Sequence, residues 1–266
     1  MNAYRMAHPP RRWEPKLSPT LFKLLHKFRV WFSQKEAKLT QYEIEGAEIL
    51  RKARDAGNGV LITPNHPTHA DPYAMNEAAS TVGYPFYFMA TWNVFDIQGR
   101  IGQWLLQKHG VFSVDRDGTD VVALKTARNI LEERDHPLVI FPEGEVYLCN
   151  DIVTPFREGA AAVGLMSARS NKRPIVCIPC ALKYRYTKDP MPELLPLMEE
   201  VENAIHWQPR PEKDIVERIH DSLPEARIYV LSVKPSVSRL DVWPAAQQVS
   251  ARFKGIAESD PLVHYV

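Results

Sequence analysis

Gly59-Val60-Leu61-Ile62-Thr63-Pro64-Asn65-His66-Pro67-Thr68-His69-Ala70-Asp71-Pro72 decides how the rest of the chain is read. It opens on a short apolar run rich in β-branched residues, the mark of a strand. A polar cluster follows, and then a helical pattern over residues 72–81. The same order recurs downstream. Further strand candidates are 85–90, 110–114, 137–141 and 174–181, and further helical stretches are 97–108, 118–134 and 157–169. Strands alternating with helices predict an α/β fold with a mainly parallel central sheet covered by helices. Residues 187–224 read as a Pro-containing loop and a polar helix, 228–233 as a strand and 241–257 as a final helix.

Composition narrows the class. Of 266 residues, 45% are apolar and 24% charged, so the chain is not disordered. Three cysteines exclude a disulfide scaffold. No apolar run reaches the roughly 18–20 residues of a membrane-spanning helix. A net charge of +1 argues against nucleic acid as the main partner. The charge is unevenly placed. Residues 1–40 hold nine Lys and Arg against Glu14 and Glu36, a net +7, which leaves −6 on the rest.

This basic N-terminal arm begins as an extended, proline-containing tail. Arg11-Arg12-Trp13 resembles a twin-arginine start, but Lys23, Lys27 and Arg29 break its apolar core, so no clear export signal is read. Ser18 is a candidate N-cap. Leu21, Leu25, Phe28 and Phe32 follow at helical spacing among Lys23, Lys27, Lys35 and Lys38. The expectation is an amphipathic basic helix ahead of the sheet. It either docks on a membrane surface through residues 18–38 or packs on the domain.

Three polar clusters each follow a strand candidate and precede a helix: Asn65–Asp71, Asp115-Arg116 and Pro142–Glu145. In a parallel sheet such positions gather at the carboxyl edge, where ligands bind. On a continuous helix His66 and Asp71 would lie about 140° apart at 3.6 residues per turn, but Pro67 and Pro72 mark a turn. A turn lets the carboxylate fold back on the imidazole and fix its tautomer, as a general base requires. Alternatively Asp71 caps the helix and His66 is a turn residue. A metal-dependent hydrolase using His66, His69 and Asp71 is the alternative reading, although a zinc site needs further ligands downstream, so no metal is expected. Arg116 suits a ligand phosphate or an ion pair with Asp115 or Asp117. Glu143, thrown out at a strand tip before Gly144, suits polyol hydroxyls or a plain turn. Cys177-Ile178-Pro179-Cys180 has redox spacing but lies in a strand, which favours two buried small side chains.

Taken in order, these blocks resemble the glycerolipid acyltransferase family, which includes the 1-acylglycerol-3-phosphate acyltransferases. Asn65-His66 with Asp71 is similar to the family's His-x₄-Asp motif and Gly110–Arg116 to its second block. Phe141-Pro142-Glu143-Gly144 is similar to the third block, Phe156–Ala160 to the segment after it, and Ile175–Cys180 to the fourth. The resemblance spans about residues 42–185, with the motifs within 58–181. It implies a domain over residues 41–266 that moves an acyl chain from acyl-CoA or acyl-carrier protein to a hydroxyl of a lysophospholipid or related lipid alcohol. By the same analogy His66 is the general base and Asp71 its orienting partner. Asn65, Arg116, Glu143, Gly144 and Arg157 would form the substrate site. The acyl thioester is a co-substrate and no cofactor is implied. The location implied is cytoplasmic, peripherally on the membrane. One departure stands out: the family's Thr-Arg-Ser after the third block is Glu145-Val146-Tyr147 here. That puts a phosphate-monoester acceptor in question and also fits a catalytically silent lipid-binding member.

Overall fold

The computed structural model describes residues 11–116, 118, 120–204 and 211–221. The chain divides after Tyr184 into two compact units. In the first, helices α1 (Pro19–Leu24), α2 (His26–Ala37) and α3 (Ala47–Asp55) precede strand β1 (Gly59–Pro64). Then come α4 (Asp71–Val82), β2 (Tyr87–Thr91), α5 (Asn93–Asp96), α6 (Arg100–Lys108), β3 (Val111–Val114), α7 (Val121–Glu133), β4 (Leu138–Val139), α8 (Glu158–Arg169) and β5 (Ile175–Cys180). All strands pair in parallel, in the order β3-β2-β4-β1-β5. Among the described residues no helix is long and apolar enough to cross a membrane.

Side-chain alternation along the strands explains why both faces are covered. Val60, Ile62, Phe88, Val111 and Val139 join one buried cluster with Met75 and Ala79 of α4 and Phe95 of α5. Leu61, Tyr87, Phe112, Leu138 and Ile140 join the other, with Ala123, Ala127, Ile130 and Leu131 of α7 and Val163 of α8. Successive strand residues point to opposite faces, so apolar runs without alternation need helices on both sides. Close approach is built in at Gly59, where an added Cβ would sit 2.1 Å from the Leu131 carbonyl oxygen.

The arm differs in detail from its pattern. Residues 11–18 are extended but held against the domain. Trp13 N donates to Ser113 Oγ (2.9 Å) and Ser113 N to Trp13 O (3.0 Å), while the buried indole stacks on Phe95. Ser18 accepts from Leu21 N and starts α1. Two helices follow instead of one, broken at Leu25. Their inward residues are Phe22 and Ser33, with Arg29 beside them. The Arg29 guanidinium lies over the Phe22 ring, binds Phe22 O and donates to Ser80 Oγ at 3.1 Å. Burial lowers its pKa to about 10. Leu24, Phe28 and Trp31 stay exposed.

In the second unit α9 (Met191–Ala204) carries Glu202, which forms a buried, two-pronged ion pair with Arg218 (2.7 and 3.0 Å). The helix expected within 187–224 is therefore present. The strand at 228–233 and the helix at 241–257 lie outside the described residues.

Candidate active site

Because every strand runs the same way, the segments after β1, β3, β4 and β5 emerge at one edge. Register puts β1 between β4 and β5, with Ile140 N donating to Ile62 O (3.0 Å) and Asn65 N to Cys180 O (3.3 Å). The polar segments after β1 and β4 are thereby brought side by side, and Arg116 after β3 reaches them through Gly144 O.

The centre of the site is the pair His66–Asp71. His66 Nδ1 lies 2.6 Å from Asp71 Oδ2. Asp71 is fully buried and is the first residue of α4, with Pro72 next. Its carboxylate turns back and caps nothing forward. Oδ2 also accepts from Thr68 N (3.2 Å), and Oδ1 accepts from the Tyr184 hydroxyl (2.6 Å). A carboxylate with a donor on each oxygen is satisfied without water. The carboxylate accepts, so Nδ1 carries a proton, and in the neutral ring Nε2 presents a lone pair. The imidazole stacks on Phe141 with centroids 4.1 Å apart, which fixes the ring plane.

Glu143 has partners within the protein. It is 2% exposed, and its carboxylate faces inward. Oε1 accepts from His66 N (2.7 Å), while Oε2 accepts from Thr154 N (3.1 Å) and from the Thr154 hydroxyl. It is a backbone anchor for His66, accepting from protein donors on both oxygens. Asn65 is likewise an anchor: its amide donates to Leu182 O (3.0 Å) and its carbonyl accepts from Leu182 N (2.6 Å).

The two arginines converge on Gly144. Arg116 donates to Gly144 O, in a β3–α7 loop closed by Asp120, which accepts from Asp115 N (3.0 Å) and caps α7 through Ala123 N (2.9 Å). Arg157 precedes α8; its N donates to Pro142 O (2.7 Å) and its side chain packs over Gly144. The Arg157 guanidinium pairs with Glu145 at 3.2 Å. Gly144 has φ +77°, a left-handed turn that lets both arginines close on the backbone.

Tyr184 is the residue that the sequence does not announce. Burial and the adjacent Asp71 carboxylate push its pKa up, so it stays a protonated donor. A tyrosine shortly after the fourth block is the one available signal, and it is weak. His69 is exposed, and among the described residues no three His, Cys, Asp or Glu gather as a metal site. Cys177 is exposed and Cys180 half-buried. The expectation of two buried thiols fails at Cys177 because β5 is an edge strand.

A parallel sheet with a paired imidazole and carboxylate at its carboxyl edge defines an α/β domain whose candidate site lies at that edge. A family model described as Acyltransferase matches residues 41–183, more than half of the chain. The chain thus belongs to the Acyltransferase family, that of the glycerolipid acyltransferases, as the ordered blocks suggested. No curated protein matches the chain.

Proposed function

We propose that this acyltransferase moves a fatty acyl chain from acyl-CoA or acyl-carrier protein to a hydroxyl of a lysophospholipid or related lipid alcohol. The observation that carries the reading is the 2.6 Å pair between His66 and the buried Asp71. His66 Nε2 takes the proton of the acceptor hydroxyl as its oxygen attacks the thioester carbonyl. A C–O bond forms and a tetrahedral oxyanion results. Its collapse breaks the C–S bond, and the imidazolium returns the proton to the leaving thiolate. The products are an oxygen ester and a free thiol, with no acyl-enzyme. Asp71 orients the ring and balances its transient positive charge.

Arg116 and Arg157 are the cations at hand for an acceptor phosphate. Glu145 offsets one of them, which favours a lysophospholipid diester or a neutral lipid alcohol over a phosphate monoester. For access to such lipids we place the protein peripherally on the cytoplasmic face of a membrane. Leu24, Phe28 and Trp31 would enter the interface, and Lys23, Lys27 and Lys35 would meet anionic headgroups at about 1 kcal/mol each.

Thiol release from radiolabelled acyl thioesters, screened across lysolipid acceptors, tests the reading. A His66→Ala variant is expected to lose about 10²–10⁴ in rate. Near-normal release by that variant removes His66 from the chemistry. Lipid bound without turnover by any acceptor points to a silent binding protein.

A further inference from the structure

The geometry points to Tyr184 as the positioning residue that holds Asp71, and through it the His66 ring, in its working orientation. This rests on the general-base reading above and adds a third member to the pair. Asp71 is fully buried, so each carboxylate oxygen needs a protein donor. Oδ2 has two, His66 Nδ1–H and Thr68 N–H, whereas Oδ1 has the Tyr184 hydroxyl at 2.6 Å. Without that hydroxyl Oδ1 is left buried without its donor, and only the Oδ2 contacts restrain rotation about the Cβ–Cγ bond.

Tyr184 is itself fixed at both ends. Asn150 Oδ1 accepts from Tyr184 N (2.7 Å) and Asn150 Nδ2 donates to Tyr184 O (2.8 Å). Two residues earlier, Leu182 is fixed by the Asn65 amide, next to His66 in the chain. Asp151 adds an ion pair to Lys183 (2.7 Å). The segment after β5 is thus fastened to the segment after β1 and to the loop after β4. Those are the two segments that carry His66 and its anchor Glu143. The raised pKa of Tyr184 keeps its proton in place across neutral pH.

Tyr184→Phe removes one oxygen and keeps the ring. Hydrogen bonds to charged groups correspond to about 10- to 100-fold in an equilibrium or rate. The expected result is a fall of that size in kcat, with KM for thioester and acceptor within about twofold. In ¹⁵N-labelled protein the downfield Nδ1 proton of His66, the signature of an imidazole bonded to a carboxylate, is expected to move upfield or broaden. Asn150→Ala, which keeps the phenol but frees its backbone, is expected to change both readouts in the same direction by less. It decides the question if the Phe variant does not fold. Unchanged kcat and an unchanged proton resonance in folded Tyr184→Phe, or in Asn150→Ala, overturn the proposal. If His66→Ala is inactive while both variants behave as the parent, only the role of Tyr184 falls and the general-base reading stands.

Discussion

Glu143 shows how far a residue's role follows from partners remote in the chain. Its acceptor oxygens serve His66 N, 77 positions away, and Thr154, 11 positions away. Glu143→Ala leaves buried N–H groups without acceptors, at about 1–3 kcal/mol each. We expect unfolding in urea to report a loss of at least about 2 kcal/mol and activity to fall with it. Glu143→Gln keeps the volume and one acceptor oxygen, and is expected to lose less of both. Gly144→Ala should also be costly: the left-handed conformation costs a residue with a Cβ about 1–2 kcal/mol, and that Cβ would lie 2.6 Å from Arg157 Cδ. A lowered thermal midpoint with weakened acceptor binding is the expected outcome. The pairing of His66 with Asp71 was legible because both residues share one turn. The inward aim of Glu143 and the hydroxyl of Tyr184 were not, since their partners are set by which strands are neighbours.

The strands and the helices α4, α6, α7 and α8 were legible nearly to their ends because apolar runs and helical spacing are local signals, whereas the short α3 and α5 were not anticipated. Strand β4 is two residues long where five were expected; Ile140 N still bonds Ile62 O (3.0 Å), and the chain then turns off with Phe141 stacked on His66. Gly59→Ala probes the fit of β1 against α7. Its Cβ would meet backbone and not a movable side chain, so we expect a loss at or above the upper end of the about 1–3 kcal/mol typical of overpacking. Denaturant unfolding reads it directly. The α1–α2 segment tests the other extreme. Ser in place of Leu24, Phe28 and Trp31 is expected to leave stability almost unchanged, because these side chains are already exposed. Sedimentation with anionic liposomes should nevertheless weaken, most visibly at low salt. Binding equal to the parent's would remove this segment from the proposed membrane contact. Arg29, which in the sequence only interrupts an apolar stretch, packs between Phe22 and Ser80.

Across the whole molecule, folding stability should depend on two half-buried histidines. Burial holds His109 and His136 below the ordinary imidazole value of 6.5. His109 donates from Nδ1 to Leu105 O (2.8 Å), and its Nε2 is buried without a partner. The unfolded chain therefore binds protons at a higher pH than the folded one. Stability is full above 6.5 and is lost as pH falls below it. We expect the urea midpoint to drop between about pH 7.5 and about pH 5.5, and His109→Phe to flatten part of that slope. Equal slopes in parent and variant would contradict this. The ordered elements, the polar clusters at their ends and the family were all written in the linear chain, because hydrophobic period and turn residues act over a few neighbours. The strand order, and with it the anchoring of His66 by Glu143, of Asp71 by Tyr184 and of Leu182 by Asn65, arose only on folding. Those contacts join residues 77 to 117 positions apart, and which of them form depends on which parallel strands lie side by side.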